Sequence, residues 1–138
     1  MTADRLGDGV RIAQLLASEI TGDEGRLRAL ALADADPDVE PTTDGALAYT
    51  AVRTDAGDGD DQADAETAEL VAEVYVQPAR VRVEFVAAPD AVAEAASGVG
   101  LRVRPKAVRP PRTLVFVEDG AQVKRVLTAF EAALAPRE

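Results

Sequence analysis

Between Leu70 and Phe85 the chain repeats one pattern twice. Leu70, Ala72, Val74 and Val76 alternate with Glu73, Tyr75 and Gln77, and after Pro78 the residues Val81, Val83 and Phe85 alternate with Arg80, Arg82 and Glu84. Successive side chains of a strand point to opposite faces, so each run predicts a strand with one apolar and one polar side. The short turn between them predicts an antiparallel hairpin. The rest of the chain must cover its apolar side.

Ahead of this hairpin, Val10, Ala13, Leu16 and Ile20, with Ile12 and Leu15 beside them, recur at a helical period from Asp8 to Ile20, although Gly7 and Gly9 weaken the first turn. Thr21-Gly22 ends that helix. Leu27 to Ala33 reads as a short apolar strand, and Asp34, Asp36, Asp38 and Glu40 interleave with Pro37 and Pro41 in an exposed loop. Gly45 to Thr54 reads as a second strand. Residues 55–66 are almost all Asp, Gly, Ala and Glu, with no apolar surface to offset ordering entropy, and are expected to be a mobile acidic loop.

After the hairpin, Pro89-Asp90 opens a short alanine-rich helix with Asp90 as N-cap, and Ser97-Gly98 closes it. Leu101, Val103 and Pro105 then face one way, and Arg102, Arg104 and Lys106 the other. Thr113 to Glu118 forms an apolar strand. Asp119 with Gln122 makes a capping-box-like start to a final helix whose Val123, Val126, Leu127, Phe130 and Leu134 share a face. The order α-β-β-β-β-α-β-β-α lacks the regular alternation of parallel α/β folds. It predicts a single α+β domain over 1–138: an antiparallel sheet of five to six strands with helices packed on one face. At the level of element order this resembles bacterial secretion chaperones and related sheet-and-helix binding modules, a resemblance that implies dimerisation.

The core must be built from Ala, Val and Leu, because the 138 residues include only three Phe and two Tyr. Asp and Glu number 25 against 15 Lys and Arg, a net charge of −10, and only Lys106 and Lys124 among the bases are lysine. Such a charge keeps a chain soluble but makes its compact state repel itself unless salt screens it. Asp in excess of Glu, Arg in place of Lys, and abundant Ala and Val resemble proteins of salt-accumulating haloarchaea. The blocks Leu101-Arg102-Val103-Arg104-Pro105-Lys106 and Pro110-Pro111-Arg112-Thr113-Leu114-Val115-Phe116-Val117-Glu118 are similar to a family of small uncharacterised acidic haloarchaeal proteins. That resemblance implies a habitat and no activity.

Cysteine and histidine are absent, which removes disulfides, Cys/His zinc sites, thiol nucleophiles and histidine acid–base chemistry. No apolar run reaches the ~18 residues of a membrane span, and the N-terminus lacks a basic region followed by an apolar one. The expectation is a cytoplasmic protein without membrane contact or cofactor. Asp34-Ala35-Asp36-Pro37-Asp38 has the alternate-carboxylate spacing of calcium loops, but Val39 and Gly45 stand where an EF-hand needs Gly and Glu. The same segment follows a strand as the nucleophilic Asp pair of haloacid-dehalogenase-like phosphatases does, yet Glu40 stands where a small hydroxyl residue belongs. It reads as a solvated acidic loop. Gly98-Val99-Gly100 follows a helix instead of leading one, and reads as a helix stop.

One segment departs from the global acidity. Residues 101–117 carry Arg102, Arg104, Lys106, Arg109 and Arg112 and no acid. Residues 1–73 hold 18 acids and five bases (−13), whereas residues 74–138 hold seven acids and ten bases (+3). Cations at period two lie about 6.6–6.8 Å apart along a strand, and the arginine fork fits phosphate or carboxylate oxygens. Arg102, Arg104, Lys106, Arg109 and Arg112 are therefore the candidate partner-contact residues. The competing expectation is that the strand cations Arg102, Arg104 and Lys106 pair with Glu73 and Glu84 on neighbouring strands. The leading functional reading is a non-catalytic protein-binding or adaptor module adapted to high salt, with a protein partner or a homodimer. A nucleic-acid-associated protein using 102–112 is the alternative, weakened because phosphate-based affinity falls by about 0.9 logarithmic units per contact for each tenfold rise in salt. A metal-dependent hydrolase is the third, and no convergent carboxylates on rigid elements support it.

Overall fold

In a computed structural model the described residues are 8–22, 25, 27–54 and 69–134. The expected mobile loop at 55–66 lies outside them. The elements are α1 (Gly9–Gly22), β1 (Leu30–Ala33), β2 (Ala46–Arg53), β3 (Glu69–Gln77), β4 (Arg80–Phe85), α2 (Pro89–Gly98), β5 (Arg102–Lys106), β6 (Arg112–Val117) and α3 (Gly120–Leu134). They follow the expected order. The six strands form one sheet, β1-β2-β3-β4-β6-β5, with every neighbouring pair antiparallel.

The period-two pattern sets the register. Val74 opposes Val83 and Val76 opposes Val81 on the helix side, while Glu73 opposes Glu84 and Tyr75 opposes Arg82 on the other. β6 extends this, placing Val115 opposite Val83 and Val117 opposite Val81. The helices cover that valine-rich side through Ile12, Ala13, Leu16 and Ile20 of α1, Val92 and Ala96 of α2, and Val126 and Phe130 of α3, all buried. Phe85 and Phe130 meet edge to face at 4.8 Å between centroids, the preferred aromatic geometry. Tyr49 donates its hydroxyl to the Ala13 carbonyl at 2.6 Å, fastening α1 to β2.

Backbone contacts explain where the elements begin. Asp8 caps α1 by accepting from the Val10 N–H at 2.9 Å, and the Gly9 N–H donates to the Pro78 carbonyl at 3.1 Å. A Cβ at Gly9 would lie 1.9 Å from the Gln77 carbonyl oxygen and 2.8 Å from that of Arg80. Gly9, a poor helix former by propensity, is thus what lets α1 sit on the β3–β4 turn. Asp119 and Gln122 pair as expected: Asp119 Oδ1 accepts from the Gln122 N–H at 2.9 Å, and Gln122 Oε1 from the Glu118 N–H at 2.7 Å.

Three local expectations change. β1 starts at Leu30 instead of Leu27, because residues 27–29 form a turn closed by the Leu30 N–H on the Leu27 carbonyl, although Leu27 remains buried. Ala88, not Asp90, is the N-cap of α2, since Pro89 occupies the first turn, where its missing N–H costs nothing, and Asp90 lies one step inside. Ala129 and Ala133 complete the buried face of α3, and Leu134 is only half-buried.

Candidate functional site

The side of the sheet away from the helices carries the polar alternates of β3, β4 and β5, with Arg112, Leu114 and Phe116 of β6. At its centre lies Glu84, whose side chain is only 2% exposed although no helix covers it. Neighbouring cations cover it instead. Arg112 Nη1 donates to Glu84 Oε1 and to Glu73 Oε1, each at 2.8 Å. Arg82 Nε donates to Glu84 Oε2 at 2.9 Å, and Lys106 Nζ to Glu84 Oε1 at 3.4 Å. Tyr75 donates its hydroxyl to Glu73 Oε1 at 2.7 Å.

Two like charges directly opposite on neighbouring strands repel, and Glu73 and Glu84 are such a pair. Arg112 bridges them. Burial pushes each carboxyl pKa upward, but the bonds to Tyr75 and Arg112 at Glu73, and to Arg112 and Arg82 at Glu84, outweigh it, and both lie below the ordinary glutamate value. The bond to Glu73 raises the Arg112 pKa against the opposing effect of burial, with Glu84 adding to the rise. Burial, then the bond to Glu73, pushes Tyr75 up to about 12.

Stacked arginines flank this network. The Arg82 guanidinium lies 4.6 Å from the Tyr75 ring centroid and donates through Nη1 to the Asp44 carbonyl at 2.9 Å. Gly45, at φ +99°, makes room there, since a Cβ would sit 2.9 Å from Arg82 Nη1. Arg80 covers Phe116 at 4.3 Å and donates to Gln77 Oε1 at 2.8 Å. No buried side-chain nitrogen or oxygen among the described residues lacks a partner.

The five candidate cations therefore divide. Lys106 pairs with Glu84, as the competing expectation held for it, and Arg112, which that expectation left out, joins the same network. Arg102 is 66% exposed and reaches Glu118 only at 3.9 Å, which is worth little in solvent. The Arg104 and Arg109 side chains make no hydrogen bond or ion pair among the described residues. They stand on the edge strand β5 and in the 107–111 loop, where Val108 is an exposed large apolar residue (41%) and the Arg109–Pro110 peptide is cis.

On the opposite side of β5, toward the helices, a groove of about 420 Å³ runs between α2 and the strand edge. Val103 and Pro105 of β5, Ala93 of α2, and Ala107 and Pro111 of the loop supply its apolar walls. The one hydroxyl lining it is engaged, as Thr113 Oγ1 donates to the Pro89 carbonyl at 2.9 Å. The groove joins segments distant in sequence, and the spacing of its residues gave no signal of it.

The other candidates stay apart. Asp36 Oδ1 accepts from the Asp38 N–H at 2.9 Å, a local turn in an exposed loop, and no group of three or more Asp or Glu among the described residues is placed to hold a metal ion. Gly98-Val99-Gly100 ends α2, with Gly100 at φ +83° and the Leu101 N–H returning to the Ala96 carbonyl at 3.0 Å. No helix among the described residues is long and apolar enough to cross a membrane.

Fold and site together define a small α+β sheet-and-helix module with an ion-paired, helix-free face. The chain belongs to the family of unknown function DUF7993, whose profile matches residues 1–138. No curated protein and no solved structure matches it.

Proposed function

We propose that this protein is a non-catalytic binding module, adapted to high salt in the cytoplasm, that recognises an acidic protein partner through β5 and the 107–111 loop. The partition of the cations carries this reading: Lys106, Arg112 and Arg82 are consumed by Glu84 and Glu73, while Arg102, Arg104 and Arg109 are exposed along β5 and its following loop, where Val108 is exposed too. General acid–base chemistry wants a group that titrates near the working pH. The ionisable groups of the network move the other way, with Tyr75 raised to about 12 and both glutamates lowered.

A second copy docked edge to edge is a poor occupant. Pro105 has no N–H to extend the sheet, and two such edges would set arginine against arginine. Nucleic acid would depend on phosphate contacts that molar salt weakens, whereas apolar burial beside Val108 resists salt.

Photo-crosslinking from position 108, in cells grown at their native salt, tests the proposal, with position 11 on the exposed side of α1 as the control. A defined protein adduct at 108, acidic in composition and lost in Arg104→Glu/Arg109→Glu, is the expected result. Adducts to RNA or DNA at 108, adducts to the protein itself, or equal yields from both positions would overturn it.

A further inference from the structure

Resting on that reading, we infer that the groove between α2 and β5 takes an aliphatic side chain of the partner, and that the partner segment is an acidic stretch interrupted by one Leu-like residue. The groove, at about 420 Å³, falls in the range of about 300–1,000 Å³ typical of ligand sites. The side chains of its walls at Ala93, Val103, Pro105 and Pro111 carry no donor or acceptor, and the bond from Thr113 to Pro89 engages the one hydroxyl. An apolar group is what such walls select.

Charge sets what surrounds that group. Arg104 lies between the groove residues Val103 and Pro105, and Arg109 between Ala107 and Pro111, both side chains without partners among the described residues. Lys106 and Arg112 also line the groove but are neutralised by Glu84 and Glu73, and Asp90 at the start of α2 is the carboxylate on its wall, so Arg104 and Arg109 carry the available positive charge. An extended segment along β5 would drop its apolar side chain into the groove and bring flanking carboxylates to Arg104 and Arg109. Pro105 disfavours strand pairing, so the side chains carry recognition.

The test is an NMR titration of the ¹⁵N-labelled full chain with three synthetic octapeptides: Asp and Glu around one central Leu, the same peptide with Ala for Leu, and the Leu peptide with every acid replaced by Lys. The Leu peptide is expected to shift the amides of Ala93, Val103 and Ala107 and to bind about tenfold more tightly than the Ala peptide, the ratio for partial burial of the extra methylenes. The Lys peptide should not bind. Ala93→Phe, which fills the groove, should equalise the Leu and Ala peptides, and Arg104→Glu/Arg109→Glu should weaken both alike. Equal binding of the Leu and Ala peptides to the wild-type chain would overturn the groove inference and leave the acidic-partner reading standing. Binding of the Lys peptide, or of no acidic peptide, would overturn both, and because these comparisons use the wild-type chain they hold even if Ala93→Phe fails to fold.

Discussion

Replacing Arg112 by Met isolates the clamp across the sheet. Met keeps much of the apolar stem but cannot donate, so the change removes two 2.8 Å bonds, one to Glu73 and one to Glu84. Bonds to charged groups contribute about 1.5–3 kcal/mol each, and breaking one partner of a fully buried ion pair costs about 3–5 kcal/mol. Arg112 and Glu73 are 25% and 20% exposed, and Glu84 keeps Arg82 and Lys106, so water and the remaining cations recover part of the loss. The expected cost is about 2.5 kcal/mol, or roughly 10 °C in Tm at about 4 °C per kcal/mol for a chain of this size. Urea unfolding by circular dichroism at pH 7 and constant KCl measures it.

The effect depends on pH with a defined sign. Both glutamates titrate below their ordinary value in the folded protein, so the unfolded chain binds more protons on acidification. Their contribution is complete above about pH 4.5 and is lost as pH falls through the lower folded values. Wild type and Arg112→Met should therefore converge in stability below about pH 4.5, and Glu73→Gln should recover part of the Arg112→Met loss by removing the like-charge pair. A loss under about 0.5 kcal/mol at pH 7, the range of ordinary surface substitutions, would refute the clamp.

Gly9→Ala should cost about 3 kcal/mol, the upper end for overpacking, because the new Cβ meets backbone carbonyls 1.9 and 2.8 Å away, which cannot swing aside as the end of a side chain could; chemical denaturation reads it, and a neutral result would contradict the packing of α1 on the β3–β4 turn. Absorbance at 295 nm should show Tyr75 ionising near 12 and Tyr49, raised further by burial, only on unfolding. A transition near 10 in the folded protein would contradict their burial. With a net charge of −10, stability should rise between 0.05 and 2 M KCl as screening relieves self-repulsion, and a flat or falling Tm would remove the salt-adaptation argument.

The sheet was legible because period-two alternation at 70–85 does not depend on partners: the same valines face the helices whichever strand lies next door. Boundaries were less legible where backbone chemistry competed with side-chain pattern, as at Pro89, which moved the α2 cap to Ala88, and at residues 27–29, where a turn replaced the start of a strand. The charge pairing was half legible. Glu73 and Glu84 could be named as partners for a basic strand, but which cations reach them depends on strand order. β6 lies between β4 and β5, so Arg112 and the strand-end Lys106 arrive at Glu84 while Arg104, opposite Leu114, does not. The groove was invisible, because α2, β5 and the 107–111 loop meet only through the fold.

The account turns on the separation of structural from recognising cations, and the urea-unfolding free energy of Arg104→Glu/Arg109→Glu beside that of Arg112→Met measures this separation directly. The double charge reversal is expected to stay within about 0.5 kcal/mol of wild type, as substitutions at exposed, unpaired sites do, while Arg112→Met loses about 2.5 kcal/mol. A double reversal as damaging as Arg112→Met would mean that Arg104 and Arg109 also hold the fold together, and the recognition surface would have to be sought elsewhere.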